Sequence, residues 1–263
     1  MVAVDGKEVR GAKNGGGTTV LLSALDREST VVLAQVEVGA KSNEIPMLPV
    51  LLDRIQDVEG MVVTADALHA QRSHAEYLHD RGAHCLVTVK GNQPSLHRQL
   101  RSLPWKQVRP GHREREQVRG KITIRTIKAV AIEAGIDFPH AAQAVQITRR
   151  SRPATGGPWR TELANAVTSV PAHQAAPPAL ARWVRGHWGI ENRLHYTRDV
   201  TYAEDASQVR TGTGTGTGPR IMASLRNLAL NLHRLDGATN IAQATRRTAR
   251  NPRRALELIG IAP

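Results

Sequence analysis

Apolar and polar positions alternate over the first forty residues in the manner of β-strands. Val2–Val4 is a short apolar start, and the β-branched runs at 18–25 and 30–38 are separated by Asp-Arg-Glu-Ser, a sequence typical of a hairpin turn. The Gly-rich stretch 11–17 predicts a turn before the second strand. The chain is therefore predicted to begin with three strands.

Positions 44–103 instead combine helical spacing with short apolar runs. Apolar residues three and four positions apart predict helices over 44–55, 71–81 and 94–103, while the runs at 61–64 and 85–89 predict buried strands. Strands that alternate with helices are typical of an α/β fold built around one mixed sheet.

The middle of the chain, residues 104–178, changes to a strand-rich pattern. β-Branched runs at 121–131, 144–149 and 163–170 are separated by turns rich in Gly and Pro. A stretch of this length is too long for a bare loop in a compact domain. We therefore predict a β-rich insert at 104–178.

Helical patterns dominate the remainder of the chain. A helix is predicted from Pro177 to about Arg198, and apolar spacing predicts an amphipathic helix over 221–235. The Thr-Gly repeat 211–218 predicts a flexible linker between them, and a basic tail with two shorter helices follows. The predicted organisation has four segments: the first part of an α/β core at 1–103, the β-rich insert at 104–178, the last helix of the core at 179–210, and a linker with a basic helical tail at 211–263.

The formal net charge of +13 is unevenly distributed along the 263 residues. Residues 1–97 carry a net charge of −3, whereas residues 98–130 carry +8 and residues 179–263 carry +7. Clustered Arg and Lys side chains indicate a polyanionic partner, so we expect a nucleic acid to contact the two basic segments.

The composition excludes several classes of protein. The chain has no run of 18 apolar residues, and its first ten residues lack the apolar region of a signal peptide. Cys85 is the one cysteine, which excludes a disulfide framework and a zinc site made of several thiolates. We expect a cytoplasmic protein with no membrane partner.

Three carboxylates stand where they could support chemistry. Asp5 follows the first apolar run and Asp66 follows the run at 61–64, and ligands bind at strand ends in open α/β sheets. Each of these two residues could equally be a turn or helix-cap aspartate. Glu191 lies on an apolar helical stretch, where a carboxylate is costly to bury unless it is paired or binds a metal. Three converging carboxylates would suit two hard divalent cations.

Five short blocks of sequence, in order along the chain, carry a resemblance to a known family. They are Ala-Val-Asp-Gly-Lys at 3–7 followed by Arg10-Gly11, Thr-Ala-Asp-Ala-Leu-His at 64–69, Val-Lys-Gly-Asn-Gln-Pro at 89–94, His-Trp-Gly-Ile-Glu-Asn at 187–192, and Asp-Val-Thr-Tyr-x-Glu-Asp at 199–205. Together they resemble the DDE transposases of the IS4-like superfamily, and most closely its ISAs1 branch, also described as H-repeat-associated proteins.

The resemblance implies a fold, a site and an activity. It implies an RNase H-like mixed sheet flanked by helices, with a β-rich insert before the last catalytic helix. Asp5, Asp66 and Glu191 would be the catalytic and metal-binding residues, holding two Mg²⁺ ions that Mn²⁺ can replace. The activity implied is metal-dependent cleavage and strand transfer of DNA phosphodiesters at bacterial insertion-sequence ends, within a homo-oligomeric synaptic complex that also binds target DNA and associates with the nucleoid.

Residues around the glutamate are expected to contact DNA. The superfamily carries a Tyr–Arg–Glu–Lys signature there, whose flanking positions in this chain hold Val184, His187 and Arg198. We expect His187 and Arg198 to contact phosphates, and Arg can do so with two hydrogen bonds. Further expected DNA contacts are Lys90, Asn92 and Arg193.

Some of these residues have alternative interpretations. His187, Glu191 and His195 follow an i, i+4, i+8 spacing on one helix face, which could suit zinc. Asn92 and its neighbour Gln93 could cap a helix after a strand instead of contacting DNA.

Other polar and aromatic residues are expected to be structural. We favour a solvated turn over a second acidic group for Asp199, Glu204 and Asp205. Trp183 and Trp188 are expected to pack in the core and not to stack on bases.

Three functions therefore compete. The first is an active transposase, the second is a catalytically weak or inactive DNA-binding remnant of such an element, and the third is a metal-dependent nuclease on the same fold. The resemblance leads us to expect a helical N-terminal domain before the first strand, which this sequence lacks, so we expect weak activity from the chain alone.

Overall fold

The computed structural model describes residues 1–14, 17–39, 42–207, 209 and 218–261. For residues 11–14, 17 and 18 it describes the backbone and not the side chains. The chain forms two compact units, one of residues 1–56 and 188–263 and one of residues 57–187. Sheets flanked by helices confirm the predicted α/β class.

Nine strands and seven α-helices lie within the described residues. The strands are β1 Val2–Asn14, β2 Gly17–Asp26, β3 Val32–Val38, β4 Val62–Ala65, β5 His84–Val89, β6 His112–Val118, β7 Lys121–Ala131, β8 Gln143–Pro153 and β9 Arg160–Thr168. The helices are α1 Met47–Leu52, α2 Arg72–Asp80, α3 Pro94–Ser102, α4 Pro177–His187, α5 Gly218–Leu235, α6 Ile241–Arg250 and α7 Pro252–Leu258.

The first unit contains three antiparallel strands in the order β3-β2-β1. Strand β1 is much longer than the predicted Val2–Val4, and its register with β2 shifts between Val9 and Lys13. Apolar side chains from strands and helices form a core there: Ala3, Leu25, Val32, Ile190, Leu194 and Leu230. This core holds β1 against the chain around residue 190.

The second unit contains a mixed sheet with the order β4-β5-β9-β8-β7-β6. β4 and β5 run parallel, whereas each remaining pair of neighbours is antiparallel. All four residues of β4 are buried, as expected for a parallel strand covered on both faces. The strands of the predicted β-rich segment continue the sheet of β4 and β5, because β9 pairs with β5.

Strand β6 has no counterpart among the predicted strands. Val118 is the one β-branched residue in its sequence, His-Arg-Glu-Arg-Glu-Gln-Val, whereas runs of such residues marked the other strands. It nevertheless pairs with β7 along its whole length, through a two-residue turn in which Arg119 and Gly120 have φ of 49° and 69°. Two positive φ values are typical of the turn that best matches the twist of a hairpin. Long-range pairing, not propensity, makes this segment a strand.

The helix predicted from Pro177 to about Arg198 is regular in its first half only. Helix α4 ends at His187, and Glu191–His195 and Thr197–Thr201 are π-helical. π-Helical turns are rare and occur frequently at functional sites. The Thr-Gly repeat lies outside the described residues apart from Gly218, which begins α5. None of the helices in the described part of the chain is both long and apolar enough for a membrane span.

A buried group of charges lies in the first unit, where a solvated turn was expected. Glu204 is fully buried and accepts hydrogen bonds from Arg198 Nε and Nη2 at 2.9 and 2.7 Å. Lys7 Nζ lies 3.7 Å from Glu204, 2.7 Å from Asp199 and 3.2 Å from Asp205. The expectation for these three acidic residues was wrong, because they neutralise cations that the fold buries.

Replacing Glu204 by Gln should destabilise the protein. The change would leave Arg198 without its anionic partner in a buried position, which costs on the order of 3 kcal/mol of unfolding free energy. Urea denaturation of the two proteins measures the difference. The exposed Glu257 on α7 provides a matched control, and Glu257→Gln should change stability by less than about 0.5 kcal/mol. Equal stability of the Glu204→Gln variant and the parent chain would contradict the importance of the buried pair.

Candidate metal centre

Asp5 is placed by the middle of strand β1. It lies opposite Ser23 of β2, while its neighbours Ala3 and Val4 are buried in the core of the first unit. Its own side chain keeps 29% of its surface exposed. The strand therefore fixes the backbone of Asp5 firmly while leaving the carboxylate accessible.

Glu191 and His195 are placed by the first π-helical segment. The Glu191 side chain is 60% exposed, so this carboxylate avoids the cost of burial among the apolar residues of its helix. His195 is almost completely buried, and its Nδ1 lies 3.1 Å from Glu191 Oε2. The same Nδ1 lies 3.6 Å from Asp5 Oδ2. His195 thus stands between the two acidic side chains.

These three side chains form a group with the composition of a metal site. Asp5, Glu191 and His195 each offer one ligand atom, and those atoms all lie within 4.8 Å of one another. Atoms that bind one ion at about 2.1 Å are separated by roughly 3–4 Å, which the two distances to His195 Nδ1 match. The structure therefore brings together two of the three predicted catalytic residues.

His195 is favoured in its neutral form. Burial lowers the pKa of its imidazole, and the nearby charges of Arg198 and Lys7 lower it further, while the hydrogen bond and the charge of Glu191 raise it. A neutral imidazole keeps one nitrogen lone pair, which a metal ion requires. The sequence signal for this contact was the i, i+4 spacing of Glu191 and His195, whereas the contact with Asp5 had no local signal.

Asp66 lies in the second unit, directly after strand β4. Its Oδ1 accepts a hydrogen bond from the Leu68 backbone N–H at 2.9 Å and caps the short 3₁₀ helix Ala67–His69. The side chain remains exposed, at the carboxyl end of a parallel strand pair where ligands bind in α/β folds. The capping interpretation is correct, and it leaves the second carboxylate oxygen available.

The residues expected to contact DNA in the second unit occupy different environments. Lys90 is exposed at the end of β5, whereas Asn92 donates its Nδ2 to the Ala67 carbonyl at 2.6 Å and supports the loop of Asp66. Gln93 occupies the N-cap position of α3 after β5, as the alternative interpretation predicted, but its side chain donates to Gln71 and makes no capping bond. Burial lowers the pKa of His187, while the charge of Asp66 and a hydrogen bond with the Thr64 backbone oppose this.

Arg198 does not occupy the position expected of a phosphate contact. It is fully buried, and its guanidinium donates to Glu204 and, at 2.9 Å from Nη1, to Gln35 Oε1. The structure therefore gives Arg198 a structural role, because no part of it faces solvent. Arg193 is exposed, two residues after Glu191. Burial, together with the charge of Arg193, lowers the pKa of Arg234 to about 10.

The structure differs from two further expectations drawn from the sequence. The zinc interpretation paired Glu191 and His195 with His187, and the third donor that the structure shows is Asp5. Trp188 was expected in the core but is 68% exposed, three residues before Glu191.

Known proteins resemble this chain along most of its length. The chain is 29% identical over 252 residues to "Putative transposase YncI" of Escherichia coli O157:H7, covering 89% of this chain and 62% of that protein. It is 26% identical over 258 residues to "H repeat-associated putative transposase YhhI" of Escherichia coli strain K12, covering 88% and 63%. The chain thus spans less than two thirds of the length of these relatives.

Among solved structures, the chain is similar to the piggyBac transposase in a cryo-EM synaptic complex with hairpin DNA. The TM-score is 0.48 with 10% sequence identity, over 94% of this chain and 50% of that one.

The family description "Transposase DDE domain" matches residues 1–232, which include Asp5, Asp66 and Glu191. The chain therefore belongs to the transposase DDE domain family.

Proposed function

We propose that this chain is the catalytic part of a metal-dependent DNA transposase of the ISAs1 branch of the IS4-like superfamily. Its reaction would be cleavage and strand transfer of DNA phosphodiesters at insertion-sequence ends. The observation that carries the proposal is the convergence of Asp5 and Glu191 on His195 Nδ1, at 3.6 and 3.1 Å, in a chain of this family. The fold would correspond to the RNase H-like core of that superfamily.

The donor set of the candidate centre fits a divalent cation. Two carboxylate oxygens and one imidazole nitrogen lie within 4.8 Å of one another, and each carboxylate is partly exposed, so an ion can reach them. Carboxylates suit Mg²⁺ and Mn²⁺, whereas imidazole suits later transition metals better. We propose that Asp5, Asp66 and Glu191 together hold two Mg²⁺ ions, with Mn²⁺ as a substitute.

Bound divalent ions would act as Lewis acids at the scissile phosphodiester, neutralising charge on the attacking and leaving oxygens. The protein's contribution would be to hold the carboxylates in position. Asp5 is fixed by the paired strand β1, and Glu191 is held by its contact with His195. Asp66 is oriented by the Leu68 N–H, and Asn92 fixes the loop that follows it.

DNA would approach the exposed part of the centre. Glu191, Arg193 and Trp188 are all exposed within one short stretch, and Lys90 is exposed at the end of β5. Arg193 and Lys90 are proposed to contact phosphates. His187 is proposed to donate a hydrogen bond from its neutral imidazole to a phosphate. Synapsis of two DNA ends would require a homo-oligomer.

Removing any one of the three carboxylates should abolish metal-dependent DNA cleavage. Asp5→Asn, Asp66→Asn and Glu191→Gln each take away a proposed metal ligand, and even outer-shell changes at metal sites cost roughly 10–100-fold, so we expect a loss of more than about 100-fold. The assay is cleavage of a DNA substrate that carries the element's ends, in Mg²⁺ and in Mn²⁺.

A matched change elsewhere should have no such effect. Asp80→Asn, on the exposed face of α2, removes one carboxylate and should leave cleavage unchanged. Full cleavage by any of the three site variants would refute the role of that residue. Hydrolysis of DNA without strand joining by the parent chain would favour the nuclease interpretation instead.

His195 should influence which metal binds. His195→Leu removes a nitrogen donor, so Co²⁺ binding should weaken roughly tenfold or more, while Mg²⁺ binding should change less. Isothermal titration with each ion measures both affinities. The control is His233→Leu, which removes a buried imidazole from α5 in the same unit. An equal loss of affinity for both ions would mean that His195 orients the carboxylates and is not a ligand.

DNA binding by the parent chain should be mainly electrostatic. With basic segments carrying +8 and +7, log affinity should fall linearly and steeply with log salt concentration. Fluorescence anisotropy with a labelled duplex between 50 and about 200 mM salt measures this slope. Binding that does not depend on salt would contradict the expected phosphate contacts.

A further inference from the structure

The two faces of the sheet formed by β6, β7, β8 and β9 differ in charge. Side chains alternate between faces along each strand, and residues directly opposite each other on antiparallel neighbours share a face. The register therefore assigns every side chain of these strands to one face or the other. All acidic residues of these strands fall on the same face, namely Glu114, Glu116 and Glu162.

That acidic face is neutralised within the second unit. Arg185 of helix α4 donates to Glu114 and Glu116 at 2.5 Å, so α4 covers this face. Arg125 pairs with Glu116 at 2.7 Å, and Arg149 pairs with Glu162 at 3.3 Å. Each acidic side chain of this face thus has at least one arginine partner.

The opposite face carries arginines without carboxylates. Arg113 and Arg115 of β6, together with Arg150 and Arg152 of β8, share it through the cross-strand rows Arg115–Ile124–Arg150 and Gln117–Ile122–Arg152. Arg113, Arg115 and Arg150 are exposed, and Arg152 is half-buried. We call these four residues the arginine face.

Trp159 orders two of these arginines. The guanidinium carbons of Arg150 and Arg152 lie 4.9 and 4.7 Å from the centre of the Trp159 ring, within the range of cation–π contacts. Side chains already held in place lose less conformational entropy when they bind a partner. The Trp159 ring therefore preorganises two positive charges on the arginine face.

We propose that the arginine face is a binding surface for the sugar–phosphate backbone of duplex DNA, separate from the candidate metal centre. The charges are spaced about 7 Å apart along a strand and about 10 Å apart from β6 to β8. Such a regular array of cations complements the dense, regular negative charge of a duplex. This proposal rests on the proposed function, because it assigns where part of the transposase would hold its DNA.

Two of the proposed DNA contacts, Arg150 and Arg152, lie outside the segments that the charge distribution along the sequence had indicated. Arg150 and Arg152 lie between the two strongly basic segments, in a region where the net charge is close to neutral. The neutralising carboxylate, Glu162, lies on the opposite face of the same sheet. Folding therefore places on one face positive charges that nearly cancel against carboxylates when charge is counted along the sequence.

Two double variants that remove equal charge from opposite faces test the proposal. The first variant, Arg150→Gln with Arg152→Gln, removes two of the four arginines of the arginine face. The second, Arg149→Gln with Arg160→Gln, removes two arginines that pair with Glu162 on the acidic face of the same sheet. The slope of log affinity against log salt, measured with a labelled 25-base-pair duplex, should become shallower by about 1.8 in the first variant. The control slope should stay within about 0.3 of the parent slope.

The outcomes separate this proposal from the proposed function. Equal slopes for the two double variants, with the parent chain binding DNA normally, would overturn the proposal for the arginine face and leave the proposed function intact. A parent chain that shows no salt-dependent DNA binding would overturn both proposals. Circular dichroism checks that each variant folds, and Arg113→Gln with Arg115→Gln provides a second test on β6 if the β8 variant unfolds. It too should make the slope shallower by about 1.8, and an unchanged slope would count against the proposal.

Discussion

The buried carboxylate of Glu204 is the interaction on which the arrangement of the candidate metal centre depends. It is fully buried, and Arg198, Lys7 and Arg226 all approach it within 4 Å. Lys7 lies two residues after Asp5 on β1, and Arg198 lies three residues after His195. One buried anion therefore ties the strand of Asp5 to the π-helical segment of Glu191, because each cation would be costly to leave unpaired.

His195 connects this charged group to the chemistry. Burial lowers the pKa of His195, and the charges of Arg198 and Lys7, two of the cations around Glu204, lower it further. A neutral imidazole can hold Glu191 by a hydrogen bond or offer a lone pair to a metal ion, and both actions keep the two carboxylates close together. The same network thus supplies stability to the first unit and the correct protonation state to its candidate site.

The sheet of the second unit separates charge by a different physical device. A strand presents successive side chains to opposite faces, so a sequence such as Arg-Glu-Arg-Glu in β6 places its arginines on one face and its glutamates on the other. Helix α4 then covers the acidic face through Arg185. The result is one face whose carboxylates are all paired with arginines and one face whose strands carry arginines and no carboxylate.

The sequence alone determined the α/β class, most strands and helices, and the candidate carboxylates Asp5 and Glu191, because hydrophobic periodicity and short motifs are local properties of the chain. Asp66 was identified in the same way, and its place with the other two remains a prediction. Only the tertiary structure decided that β6 is a strand, that Arg198 and Glu204 are buried, and that His195 contacts Asp5. These features depend on pairings between residues distant in sequence, whose burial and register no local pattern encodes.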